Sequence, residues 1–132
     1  MGLTTDPSNP GLKQIEPGGQ QAVYLVLSEE ERAKGFVRPV RYKYRHLVCG
    51  TTTAMGAALS ETYARNPKFY GGTFCCFCGG HFPLRQLDNG KSIWAFLWVP
   101  DGDPVGSDAD EAAAYLAERE RLANEKHLGT GI

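Results

Sequence analysis

Two short segments of the chain share one pattern. His46-Leu47-Val48-Cys49-Gly50 and Cys75-Cys76-Phe77-Cys78-Gly79 each set two ligand-type side chains three positions apart and follow them with glycine. A tight turn of two intervening residues lets both side chains reach one ion while backbone amides point at the sulfurs. The glycine permits the left-handed backbone conformation that such a turn often needs. Together the segments offer three thiolates and one imidazole, a donor set that suits zinc and fills all four positions of a tetrahedral structural site. The spacing therefore predicts a structural Zn2+ held by His46, Cys49, Cys75 and Cys78. Cys76 and His81 stand open as substitutes for one of the four, and Cys76 is the poorer of them because adjacent side chains diverge. The alternative makes the cysteines small buried apolar residues and His46 a core histidine. A redox role for Cys75-x-x-Cys78 is disfavoured, because the helical pattern that follows a thioredoxin-like motif is missing.

Cysteine chemistry depends on compartment, and here the rest of the sequence matters. At 132 residues the chain has the size of one domain, and its 42% apolar and 22% charged residues exclude a disordered or membrane-embedded class. The longest apolar run, Ile93 to Val99, falls far short of the roughly 20 residues a bilayer span requires. The first residues lack the basic start, apolar stretch and small-residue cleavage site of a secretory signal. Four cysteines in such a chain read as reduced thiols or metal ligands, and the expected location is cytoplasmic.

Residues 1–20 hold three prolines and four glycines with almost no apolar periodicity, which predicts an extended, flexible arm. Gln21 to Leu27 reads as a buried strand. Ser28 with Glu31 forms a capping box opening a short helix that Gly35 stops. From Val40 to His46 the pattern alternates, with Arg41, Lys43 and Arg45 on one face and Tyr42, Tyr44 and His46 on the other. Met55, Ala58, Leu59, Thr62 and Tyr63 fall at helical spacing, so a helix is expected over 51–64, capped by Thr51 or Thr52. Ile93 to Val99 is the most apolar strand candidate. A final helix is expected from a Ser107 or Asp108 cap, with a stripe of Ala112, Tyr115, Leu116, Leu122 and Ala123 to pack on the body or on a partner. The predicted organisation is an arm over 1–20, a zinc-stabilised domain over 21–107 and an acidic C-terminal helix over 108–132. The fold class is α+β: a small single domain with a zinc-knuckle or zinc-ribbon-like site, a few short antiparallel strands and two main helices.

The function classes narrow from the same residues. Four protein ligands leave no position for a reacting water, so the expected zinc is not catalytic. The zinc deaminase signature of His-x-Glu and Pro-Cys-x-x-Cys is not met, since Leu47 and Val48 follow His46 and Phe74 precedes Cys75. A phosphate loop, a Ser-His-Asp set and a dinucleotide fingerprint are all missing from the sequence. The reading is a non-enzyme with no small-molecule substrate and no membrane association, serving protein interaction, self-assembly or structure. The competing reading is nucleic-acid binding, with Arg38, Arg41, Lys43 and Arg45 tracking phosphates and the neighbouring tyrosines stacking bases. A sequence pI near 6.3 counts against it.

The stretch Leu27-Ser28-Glu29-Glu30-Glu31-Arg32-Ala33-Lys34-Gly35-Phe36-Val37-Arg38-Pro39-Val40, together with Tyr44 through Gly50, Glu61 through Arg65 and Phe74 through Pro83, resembles small uncharacterised zinc-binding proteins of tailed bacteriophages and prophages. The likeness covers residues 22–107. It implies a phage gene product, acting in the host cytoplasm or in the virion, with the shared His-x-x-Cys and Cys-x-x-Cys positions falling on His46, Cys49, Cys75 and Cys78. It carries no further function.

Overall fold

The computed structural model describes residues 2–130, with side chains through residue 125. The architecture is α+β. Three α-helices and nine short strands among the described residues surround one aromatic core, and all but one of the strand pairings are antiparallel.

The chain opens with β1 (Gly2–Thr4) and a short 3-10 helix (Pro10–Lys13), then β2 (Val23–Leu25), which pairs parallel with β1. The N-terminal arm, expected to be extended and flexible, is laid against the body. Gly2 N donates to Ala22 O at 2.8 Å and Val26 N to Thr4 O at 2.8 Å, so the backbone groups of the arm find partners that its composition does not reveal. The expected strand over 21–27 is correspondingly shorter, and its three paired residues are only half-buried. In α1 (Glu29–Arg32) the Ser28 side chain accepts from Glu31 N, the predicted cap.

Strands β3 (Lys43–His46), β4 (Thr52–Ala54) and β9 (Phe96–Val99) form the central sheet in the order β4-β3-β9. The helix expected over 51–64 begins later, as α2 (Ala57–Arg65), with Gly56 at its N-cap. Thr51 and Thr52 do not cap it. Thr52 belongs instead to the strand that returns from the first knuckle, where pairing with β3 outweighs the helical periodicity for a β-branched residue, and Thr51 closes the knuckle turn by accepting from His46 N at 3.1 Å.

The second knuckle lies between β5 (Gly72–Cys75) and β6 (Gly80–Pro83), and a further hairpin joins β7 (Arg85–Asp88) to β8 (Lys91–Trp94). The single strand expected over Ile93–Val99 is in fact two. At the fully buried Ala95, whose N–H donates to Leu84 O at 2.8 Å and whose carbonyl accepts from Leu47 N at 3.0 Å, the chain leaves β7 and joins β3. The apolar run is continuous because both halves are buried, although they serve different partners.

Tyr44, Tyr63, Cys75, Leu84, Phe96, Trp98 and Val105 form the core, with Cys49, Met55, Tyr70 and Phe82 packed against it. The last element, α3 (Ala109–Thr130), starts with a reciprocal capping box: Glu111 N donates to Asp108 Oδ1 at 2.8 Å, and Asp108 N to Glu111 Oε1 at 3.1 Å. Its first turns dock through buried Ala112 and a Lys68–Glu111 ion pair. Of the expected stripe, Ala112 is buried and Tyr115 half-buried while Leu116, Leu122 and Ala123 are exposed, so the body covers its start and not its later part.

Candidate metal centre

The two predicted knuckles are the tips of two hairpins. His46 ends β3 and Cys75 ends β5, so a regular strand delivers the first ligand of each pair and fixes its direction. The turns match. Gly50 N donates to His46 O at 2.7 Å with Gly50 at φ +74°, and Gly79 N donates to Cys75 O at 2.9 Å with Gly79 at φ +69°. Both glycines occupy the left-handed region that the sequence pattern anticipates.

His46, Cys49, Cys75 and Cys78 converge, their ligand atoms all within 4.8 Å of one another. Cys49 Sγ lies 3.5 Å from Cys75 Sγ, and His46 Nδ1 lies 3.7 Å from Cys49 Sγ and 3.6 Å from Cys78 Sγ. Tetrahedral zinc bonds of about 2.3 Å to sulfur and about 2.0 Å to nitrogen imply edges of about 3.8 and 3.5 Å. The observed spacings match those edges. No disulfide joins the cysteines. Backbone amides address the sulfurs, with Thr51 N to Cys49 Sγ at 3.5 Å and Cys78 N to Cys75 Sγ at 3.4 Å, as placement for thiolates requires.

Electrostatics point the same way. Desolvation, then hydrogen bonds to Cys75 and Cys49, push the Cys78 thiol up to about 11, while the Thr51 amide pulls Cys49 down. A bound cation would remove the penalty on Cys78 by holding its sulfur as thiolate. Burial lowers the His46 pKa, keeping the imidazole neutral as a ligand must be. Its ring is stacked on Phe96 at 4.5 Å and tilted against Phe82 at 4.9 Å. With Nδ1 turned to the sulfurs, Nε2 is buried without a hydrogen-bond partner. Aromatic packing orients this imidazole where a carboxylate or carbonyl more often does.

Neither substitute ligand joins the group. Cys76 Sγ contacts Thr52 O at 3.7 Å on the outer side of the knuckle, and His81 Nε2 is hydrogen-bonded to the Tyr24 hydroxyl at 2.8 Å. The arm reaches this region as well. Gly19, at φ +92°, passes so close to the second knuckle that a Cβ there would lie 1.9 Å from Gly79 O.

The four cations of the basic segment separate into two pairs. Lys43 and Arg45 are exposed on β3. Arg41 is only 9% exposed, so it does not share the solvent face expected for it. It donates to Asp101 at 2.6 Å and to Asp103 at 3.0 Å, and lies 5.0 Å from the Trp98 ring centroid. Arg38 pairs with Asp103 as well. The acidic turn after β9 thus neutralises two of the four, a pairing that no short-range pattern announces.

No family model matches the chain, and neither the curated proteins nor the solved structures give a match.

Proposed function

We propose that His46, Cys49, Cys75 and Cys78 hold a structural zinc ion, and that the chain works as a non-enzymatic, zinc-stabilised protein-interaction module. The convergence of three sulfurs and one imidazole nitrogen within 4.8 Å, with the Cys49–Cys75, His46–Cys49 and His46–Cys78 spacings close to tetrahedral edges, carries this reading. Bound there, Zn2+ would tie the β3–β4 hairpin to the β5–β6 hairpin and supply folding energy. With four protein ligands no coordination position remains for substrate or water, which supports a structural over a catalytic role.

The interaction role is supported by what surrounds the ligands. The intervening knuckle residues Leu47, Val48 and Phe77 are 41%, 66% and 73% exposed, so each hairpin tip carries its apolar side chains outward. Exposed apolar residues clustered around a rigid centre mark contact surfaces. The nucleic-acid reading loses ground, since Arg38 and Arg41 are already paired with carboxylates and only Lys43 and Arg45 are left to meet phosphates. The resemblance of residues 22–107 to small phage and prophage proteins supports a phage-encoded virion component or host-directed factor.

Native mass spectrometry of protein purified without chelator tests both halves. The expected spectrum shows one zinc per chain together with self-association or a retained protein partner, and that association is lost in a Val48→Ser/Phe77→Ser variant that keeps its zinc. A folded, metal-free monomer overturns the metal reading. A zinc-loaded chain whose association ignores the double variant overturns the knuckle-tip surface.

A further inference from the structure

A cavity of about 320 Å3 opens between the N-terminal arm, α2 and the strands that carry the second knuckle. Its size falls at the small end of ligand pockets. Its walls are aromatic, with Tyr24, Tyr44, Tyr63, Tyr70, Phe74 and His81 all contributing. Three of the tyrosine hydroxyls donate to backbone carbonyls of residues that themselves border the cavity: Tyr44 to Phe74, Tyr63 to Gly72 and Tyr70 to Leu25. The rings are therefore pinned, and their carbon edges and faces line the space. Tyr63 and Tyr70 lie 4.8 Å apart at 46°, and Tyr24 and His81 5.7 Å apart at 41°, so the walls are continuous surfaces.

Polar groups are few and uncharged. Gln20, Gln21, Thr53 and Thr73 line the cavity beside the Tyr24–His81 hydrogen bond of 2.8 Å, with Gln21 Nε2 already donating to Val23 O and Thr53 Oγ1 accepting from Cys76 N, and no Asp, Glu, Lys or Arg among the described residues does so. Burial also lowers the His81 pKa, which keeps that ring neutral. A permanent charge entering this space would lose its hydration with no counter-charge to replace it. A neutral planar molecule instead replaces on the order of ten waters with ring contacts and keeps a few oriented hydrogen bonds.

We propose that this cavity is a binding site for a small, uncharged aromatic molecule, mono- or bicyclic, carrying an amide-like polar group directed at Gln20. The site lies apart from the four metal ligands, although the arm that closes one wall also passes against the second knuckle at Gly79.

The test is chemical-shift titration of the full, zinc-loaded chain with benzamide, its charged counterpart benzoate, indole and tetramethylammonium. Benzamide is expected to bind with Kd below about 1 mM and benzoate at least about tenfold more weakly, with shifts confined to the cavity residues. Leu59→Trp, which fills the cavity from α2, should abolish binding while zinc stoichiometry is kept. Should that variant fail to fold, Gln20→Ala decides between the outcomes by weakening benzamide but not indole. Four results overturn the proposal: equal affinity for benzamide and benzoate, tighter binding of tetramethylammonium, absence of benzamide and indole binding up to about 10 mM, or wild-type benzamide binding in a folded Leu59→Trp or in Gln20→Ala.

Discussion

Cys76 sits one position from a fully buried sulfur, yet its own side chain is exposed and meets only the carbonyl of Thr52. Strand alternation explains the divergence, since neighbouring side chains at the end of β5 leave on opposite faces. The consequence is a sharp contrast between two cysteines. Structural zinc supplies apparent free energies of about 10–16 kcal/mol in small domains, comparable with or larger than the ordinary net stability of about 5–15 kcal/mol for a whole domain. Cys78→Ser should therefore release the metal and leave the chain unfolded or molten by circular dichroism, as should chelation of the wild type. Cys76→Ser should keep one metal per chain and shift stability by no more than about 0.5 kcal/mol. A Cys76→Ser protein that loses metal would put the ligand set in error. This much of the centre is legible in spacing alone, because a two-residue turn constrains both its ligands. The exclusion of His81 is not, because it depends on Tyr24, which is 57 positions away and reaches the ring only once the arm is folded.

Between elements, the clearest device is the clamp that joins the segment before β3 to the turn after β9. One carboxylate, Asp103, receives both Arg38 and Arg41, and Asp101 takes a second contact from Arg41. Burial opposes the charge on Asp101, but the Arg41 guanidinium outweighs it and holds the carboxyl below its usual range. That contribution is fully present above the ordinary carboxylate pKa and is lost as pH falls below it and through the lower folded-state value. Removing Asp103 leaves two nearly buried guanidiniums without their shared partner, so Asp103→Asn should cost about 3 kcal/mol, measured by denaturant unfolding. Arg41→Glu should be at least as damaging, while Lys43→Glu, on the exposed side of the same strand, should change stability by less than about 0.5 kcal/mol. Equal effects at positions 41 and 43 would mean that Arg41 is solvated after all. Alternation in the sequence places both residues on one face and treats them alike. What separates them is a partner 60 positions away, across the β3–β9 ladder. The elements misplaced by periodicity have the same origin: Thr52–Ala54 is a strand because β3 lies beside it, and the Ile93–Val99 run divides because Ala95 changes partners.

At the scale of the molecule, the core is held by tyrosines whose hydroxyls bridge separate segments, and this makes the whole fold sensitive to alkali. Burial pushes Tyr44 up to about 12 and raises Tyr63 and Tyr70 as well. An acid whose pKa is higher in the folded state contributes fully below its unfolded value, near 10, and loses that contribution as pH rises toward the folded value. Each such tyrosine removes about 1.4 kcal/mol per pH unit in that window, so three together remove about 4. A net stability at the lower end of the ordinary range, about 5 kcal/mol, is then exhausted a little more than about one unit above pH 10. The expected observation is one transition in which tyrosinate absorbance and loss of near-UV circular dichroism coincide. Tyr63→Phe, which keeps the ring and gives up a 3.4 Å contact to Gly72 O, should flatten the alkaline slope of stability by about 1.4 kcal/mol per pH unit. Ionisation of these tyrosines with native dichroism intact would mean that water already reaches their hydroxyls, and the pinned walls of the cavity would then be open rather than fixed.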